Sequence, residues 1–469
     1  MNHPLHSTLT DLTEAIREKR LSPAELMAAA LDRIDATHDR LNAVVALRPR
    51  GDLMAEARLA EERVARGAAR PLEGIPLGVK DLEDAAGLVT SNGSVVHRDR
   101  IAAKDSIQVE RLKRAGAIVV GKTNTPEFGY TAVTKNLLFG VTRSPWDPSR
   151  TPGGSSGGSA AALAGEVLPL VTASDGGGSI RIPASLTGAF GLKPSYGRVP
   201  NGPSPLWSHG MTAVLGPLTK TVRDAALLLD QVVGHDPRDP SSLPHPGLSY
   251  LSVVDEPLPR GLRIGFSPDL GTAVVQSDVA AVVEDAARTF EKLGCTLAPV
   301  IGGPPDLAPY WGMLGSWEIA ARLGSLVDER AADLSRSFVQ GVQAARGITP
   351  AWWGEMARRR AKLVAWCAKL FGEFDLLVTP TVPYDPPPAK GPFPNETDGR
   401  PQPVASAASF TIPFNMSWHP AATVRAGMSR AALPVGMQIV GPLHREDVVL
   451  RAARAFERER PWHPRWPMR

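Results

Sequence analysis

Short apolar runs alternate with stretches of helical periodicity along most of this chain, and that alternation narrows the fold more than any other feature. The runs at residues 77–80, 117–120, 168–171, 263–266, 376–378 and 436–440 are three to five residues long. That is strand length, too short for a buried helix. Helical patterns lie between them, as at residues 106–115, so the chain reads as α/β with a central sheet mostly covered on its faces. At the N-terminal end, Ser22-Pro23-Ala24-Glu25 opens a helix through Ile34, with a serine cap, proline at the first helical position and a glutamate reaching back as a capping box. A strand at residues 41–47 and an alanine-rich helix at residues 52–65 follow.

Composition excludes several classes. With 43% hydrophobic and 21% charged residues among 469, the chain has ample material for a large core and no signature of general disorder. The 52 basic and 48 acidic residues leave a net charge of +4, and the basic ones are dispersed, so nucleic acid is not an expected partner. The densest run, Arg358-Arg359-Arg360, falls in a helical pattern and reads as a solvated face. Cys295 and Cys367 are too few for a disulfide framework and have no metal-ligand spacing. Reducing cytoplasm is therefore the expected location. No leader pattern opens the sequence, and no apolar run approaches the ~18 residues a membrane span needs.

Two segments rich in glycine and serine stand apart. Thr151-Pro152-Gly153-Gly154-Ser155-Ser156-Gly157-Gly158-Ser159 and Ser174-Asp175-Gly176-Gly177-Gly178-Ser179-Ile180-Arg181 place Ser155 and Ser179 24 residues apart. Such a run in isolation reads as a flexible linker. Here both are embedded in apolar sequence and follow a third element, Gly78-Val79-Lys80-Asp81, and that ordered combination is far more specific than any part of it. A serine hydroxyl needs a base within hydrogen-bond reach, and a lysine serves only when neutral. Burial disfavours the ammonium, so the apolar surroundings of Lys80 suit that role. Asp81 would hold the lysine charged if it pointed inward, but strand alternation turns it the other way.

The three segments resemble those of the amidase signature family of serine hydrolases, and the resemblance runs from about Ser22 to the C-terminus. It implies a single domain over residues 1–469 with a large mixed central β-sheet covered by helices on both faces. Within it, a helical arm occupies about residues 1–70, the signature core about 71–230, and a variable substrate-pocket and C-terminal part about 231–469. By the same resemblance Ser179 attacks the substrate carbonyl, Ser155 bridges, Lys80 is the base, and a cis peptide links Gly154 to Ser155. The implied reaction passes through a tetrahedral intermediate and an acyl-enzyme. The backbone N–H groups of Gly176, Gly177 and Gly178, unobstructed by side chains, form the natural oxyanion hole. Asp175 and Arg181 flank the nucleophile and are expected to pair and brace the loop. No metal and no cofactor is expected.

Other motifs lose to their context. Gly116-Ala117-Ile118-Val119-Val120-Gly121-Lys122-Thr123 satisfies the phosphate-loop pattern, but its middle residues are themselves a strand and a helix precedes Gly116. His209, His419 and His444 sit singly and read as structural or surface residues, as do Trp352, Trp353 and Trp366 as core or pocket wall. The glycosylation pattern Asn395-Glu396-Thr397 is taken as chance. Two proline-rich stretches, residues 200–207 and 383–403, are expected to carry no regular ladder; eight of the 21 residues in the second are proline. The second fits either a lid or pocket rim or a plain surface connection.

The resemblance puts Gly129 and Tyr130 where the family's acyl pocket is lined, and both are expected to contact substrate. Ser204-Pro205-Leu206-Trp207-Ser208-His209-Gly210 departs from the wording usual in the amidotransferase subunits of that family. With Trp207, Phe393, Phe414 and Trp418 on loops, an apolar, aryl or carbamate-type substrate is the natural choice. The expectation is thus a serine amidohydrolase acting on a small-molecule amide or carbamate, as a monomer or homodimer. The alternative is the glutamine-hydrolysing subunit of a tRNA-dependent amidotransferase.

Overall fold

The computed structural model describes residues 3–203, 211–463 and 466–467. Its helical arm opens with helix Leu9–Arg17, and the helix read from the sequence begins next, where its capping residues place it. The Ser22 hydroxyl accepts the Ala24 N–H and the Glu25 carboxylate accepts the Ser22 N–H, each at 3.0 Å, at the head of helix Pro23–Leu41. That helix outruns the expected end at Ile34 because nothing in the sequence breaks it before Asn42, which stops it in the left-handed conformation at φ 49°.

Two sheets carry the architecture: β1 Val44–Leu47, β2 Pro76–Lys80, β3 Ile118–Thr123, β4 Leu170–Val171, β5 Phe190–Lys193, β6 Leu218–Thr219, β7 Arg263–Phe266, β8 Thr296–Pro299, β9 Leu376–Pro380, β10 Ala421–Met428 and β11 Pro434–Val440. The first has the order β1-β3-β2-β4, with β1 antiparallel to its neighbour and the rest parallel. The second has the order β6-β5-β10-β11-β9-β7-β8, antiparallel as far as β9 and parallel beyond it. The large mixed sheet is thus hydrogen-bonded in two sections, which adjoin where β4 lies beside β6. A short ribbon stitches them, pairing Ser174 with Leu215 and Asp175 with Val214. The site described below sits at this seam.

Every residue of β2, β3, β5, β9 and β11 is buried, and successive side chains of a strand point to opposite faces, so both faces of the sheet are covered. Helices Arg181–Thr187 and Ser277–Ala287 both pack on β10 and β11. Among the described residues no helix is long and apolar enough to cross a membrane.

The first glycine and serine segment is no linker. It enters helix Gly157–Ala164, all of whose residues are buried, and that helix starts against the end of β3. The Gly158 N–H bonds to Asn124 O at 3.0 Å, and a Cβ built on Gly158 would stand 2.2 Å from Asn124 N. Only glycine allows two backbones to come so close. Lys122 of the phosphate-loop pattern lies within β3, buried, with its ammonium donating to Glu83 O and to Thr90 Oγ1.

Two expectations are corrected. The segment 383–403 does carry a ladder, Glu396–Thr397 with Arg400–Pro401, because its proline-free centre closes on Asp398-Gly399, both at positive φ, and Pro401 at the outer pair can still accept a bond. The arginine run is only partly a solvated face. Arg358 and Arg359 pair with Glu355 in the open, whereas Arg360 turns inward, donates to Met416 O at 2.9 Å and lies over the Trp418 ring. The segment 204–210, with Trp207 and His209, lies outside the described residues.

Gly158→Ala should lower stability by about 2–3 kcal/mol, since the backbones on both sides must part to admit a methyl group. Urea unfolding of the variant against the parent protein measures it.

Candidate active site

Lys80 closes β2, a strand buried along its length, and this delivers its side chain to the seam between the sheets. The ammonium nitrogen lies 2.8 Å from Ser155 Oγ, 2.8 Å from Ser156 Oγ and 2.9 Å from Ser174 Oγ. All three partners are neutral hydroxyls. Burial pulls the Lys80 pKa from its ordinary value down to about 7, against Asp175 and Glu83, which push it up. The next residue points away as strand alternation requires. Asp81 accepts the N–H groups of Ser91 and Gly93 at 3.1 and 3.0 Å and the Ser91 hydroxyl, so its charge is held off the lysine.

Ser155 follows a cis peptide bond from Gly154 and reaches both Lys80 and the cavity. The second segment crosses beneath it: the Ser156 N–H bonds to Ser179 O at 3.3 Å, and Ser179, half-buried, shares the cavity wall with Ser155. Between Ser174 and Ser179 the three glycines run under restraint from several sides. Trp311 Nε1 and Thr212 Oγ1 donate to Gly176 O at 2.7 and 3.1 Å, and Thr411 Oγ1 donates to Gly177 O at 2.6 Å. The Gly178 N–H donates to Asp175 Oδ1 at 2.7 Å. The expectation of three free donors is therefore corrected: Gly176 and Gly177 border the cavity, while Gly178 is engaged inside the loop.

Asp175 and Arg181 form a two-pronged ion pair at 2.9 and 3.0 Å, with both side chains fully buried. Burial alone would raise the Asp175 pKa; the Arg181 guanidinium and the Asn415 amide overcome it and hold the carboxyl at about 2. The remaining donors of Arg181 go to Gln438 Oε1 at 2.7 Å, Thr411 O at 3.1 Å and Asn415 Oδ1. Asn415 returns a bond to Asp175 Oδ1 at 2.8 Å and another to Asp175 O at 3.0 Å. The brace thus reaches from the ribbon to helix Ile412–Met416 and to β11.

The cavity over Ser179 has a volume of about 440 Å³. Leu82, Phe128, Ile182, Trp311 and Phe393 supply much of its apolar wall, and the proline-rich stretch forms its rim through residues 393–395 and 402–403. Gly129 and Tyr130 line it as expected. The Tyr130 hydroxyl, however, bonds to Ser316 Oγ at 2.9 Å, and its ring stands edge-on to Phe338. Tyr130 therefore offers the cavity an apolar face. Two of the aromatic residues expected there are elsewhere. Phe414 is buried in the core because the short helix Ile412–Met416 carries it inward, whereas Trp418, on the loop after that helix, stacks on Tyr196 under Arg360. His419 is buried against Phe371 and bonded to Ser417 Oγ, and burial, helped by Lys193, pulls its pKa down to about 4. Among the described residues no group of three or more His, Cys, Asp or Glu side chains is arranged to hold a metal.

Sequence reasoning missed Thr212, Trp311, Thr411, Asn415 and Gln438, five side chains that fix the loop from outside. Each lies between 36 and 257 residues from its partner, and none carries a local motif.

Comparison with known proteins gives a consistent result. A family model described as Amidase matches residues 25–450. An acylamidase of Rhodococcus erythropolis is 34% identical, the alignment covering 98% of this chain and 96% of that protein. A glutamyl-tRNA(Gln) amidotransferase subunit of Geobacter sp. strain M21 is also 34% identical, over 97% of this chain and 98% of that one. Among solved structures, a bacterial aryl acylamidase of the amidase signature family superposes with a TM-score of 0.91 at 30% identity, over 98% of each chain.

Asp175→Ala should cost roughly 3–5 kcal/mol, because it leaves the Arg181 guanidinium buried without its counter-ion. Chemical denaturation reads the loss directly. Arg181→Ala should cost a comparable amount.

Proposed function

Because this chain belongs to the amidase signature family and is a hydrolase of amide C–N bonds, we propose that it is a self-sufficient serine amidohydrolase whose substrate is a neutral, apolar amide of the aryl or carbamate type. The single observation that carries this reading is the cavity wall: every described residue on it is uncharged. A glutamine side chain arrives with an ammonium and a carboxylate on its α-carbon. Each would be desolvated in this cavity without a partner, at a cost that a neutral aryl group avoids. The likeness to an acylamidase points the same way.

The reaction follows from the proton path. Neutral Lys80 withdraws the Ser155 proton as Ser155 takes the proton of Ser179, and the Ser179 oxygen forms its bond to the substrate carbonyl carbon. The carbonyl electrons move to oxygen, and the oxyanion is met by loop N–H groups at the cavity wall. Collapse of the intermediate breaks the C–N bond. The proton held on Lys80 returns through Ser155 to the leaving nitrogen, giving a neutral amine and an ester on Ser179. Water, deprotonated along the same route, then cleaves the ester.

The full-length identity to amidotransferase subunits supports a second reading, in which glutamine is the substrate and a partner is required. Hydrolysis of an anilide, a carbamate, a short aliphatic amide and glutamine by the purified protein separates the two. Turnover of the anilide or carbamate is expected, and activity on glutamine alone would overturn the proposal. Ser179→Ala should reduce turnover by roughly 10⁴-fold or more.

The pH profile supplies a further check. The base must be unprotonated, and the Lys80 pKa lies at about 7, so kcat/KM for a non-ionising amide should level off above that pH. Below it, activity should fall by about tenfold per pH unit as the ammonium is restored. A profile flat from pH 5 to 8 would argue against Lys80 as the base.

A further inference from the structure

We propose that Trp311 is a positioning residue for this reaction: its indole fixes the Gly176–Gly177 peptide plane so that the Gly177 N–H is aimed at the oxyanion. The inference rests on the amidase reading above and extends it to a residue 135 positions away in the chain.

The argument starts from the planarity of the peptide group. In a trans amide the C=O and N–H of one plane point in opposite directions, so whatever holds the oxygen also directs the hydrogen. Trp311 Nε1 donates to Gly176 O at 2.7 Å, with Thr212 Oγ1 as a second donor at 3.1 Å. The N–H at the far end of that plane belongs to Gly177, which borders the cavity beside Ser179. In the following plane both ends are taken up inside the fold, since Gly177 O accepts from Thr411 and the Gly178 N–H goes to Asp175. Of these two planes, the one held by Trp311 is the one that can turn a donor toward the substrate.

Packing adds a second restraint. The indole lies flush on Gly177, where a built Cβ would stand 2.3 Å from Trp311 Cζ2. Trp311 comes from the first turn of helix Ala308–Arg330 and is itself part of the cavity wall. An aryl group seated in the cavity thus packs on the same ring that sets the donor. Substrate filling and transition-state geometry are joined through one side chain.

Trp311→Phe keeps a ring on the wall and deletes the indole N–H. For an anilide substrate we expect kcat to fall by about tenfold or more with KM within about twofold of the parent value, the signature of an interaction made in the transition state. Hydrogen exchange followed by mass spectrometry should show faster exchange in the peptide spanning residues 174–180, with the rest of the protein unchanged. A kcat within about twofold of the parent overturns the proposal. So does a loss carried entirely by KM, which would make Trp311 a wall and nothing more. Unchanged exchange over residues 174–180 overturns it as well, even if the parent protein proved inactive on every amide. Inactivity of the parent by itself would count against the amidase reading, and the exchange measurement would still decide whether Trp311 holds the loop.

Discussion

The buried ion pair between Asp175 and Arg181 is the contact on which the site depends. Its two charges are only six residues apart, yet between them lie all three glycines and Ser179. Taken from water singly, either charge would be prohibitive; paired and surrounded by Asn415, Gln438 and backbone groups, both are satisfied. The pair converts a segment of high intrinsic freedom into one of fixed shape. It also joins the ribbon at the seam of the two sheet sections to β11 in the middle of the larger one.

The same pair governs Lys80. A neutral lysine at ordinary pH requires that no carboxylate reach it, and three acids lie close in sequence or space. Asp81 faces the Ser91 and Gly93 amides, Glu83 takes the Ser106 hydroxyl at 2.7 Å, and Asp175 is bound to Arg181. What remains around the amine is three hydroxyl groups and, at 3.5 Å, the Ser174 carbonyl oxygen. Desolvation then dominates, and the pKa settles near neutrality instead of near that of a surface lysine.

Above this polar floor the cavity is apolar, and its walls come from distant parts of the chain. Phe128 and Tyr130 arrive on the segment after β3, Trp311 on a long helix, and Phe393 on the proline-rich rim. The helices Ala308–Arg330 and Arg336–Ala345 also supply Ser316 to the Tyr130 hydroxyl and Phe338 to its ring. A wall assembled in this way can be varied without touching the chemistry. The chain is 34% identical both to an acylamidase and to an amidotransferase subunit.

Local sequence was sufficient for whatever depends on neighbours a few residues away. The cap at Ser22, the strands at residues 263–266 and 436–440, the turn of Asp81 away from Lys80 and the pairing of Asp175 with Arg181 all follow from periodicity, side-chain chemistry or short spacing. The α/β class follows for the same reason. What needed the tertiary structure was every contact set by the order of strands in the sheets: the division of the sheet at the ribbon, the grip of Trp311 and Thr411 on the glycine loop, and the engagement of the Gly178 N–H. Phe414 and Trp418 show the same limit, since composition marked them as pocket residues and packing placed them elsewhere. Periodicity records which face of an element is buried and not which element buries it. That second choice is made only when the whole chain has collapsed.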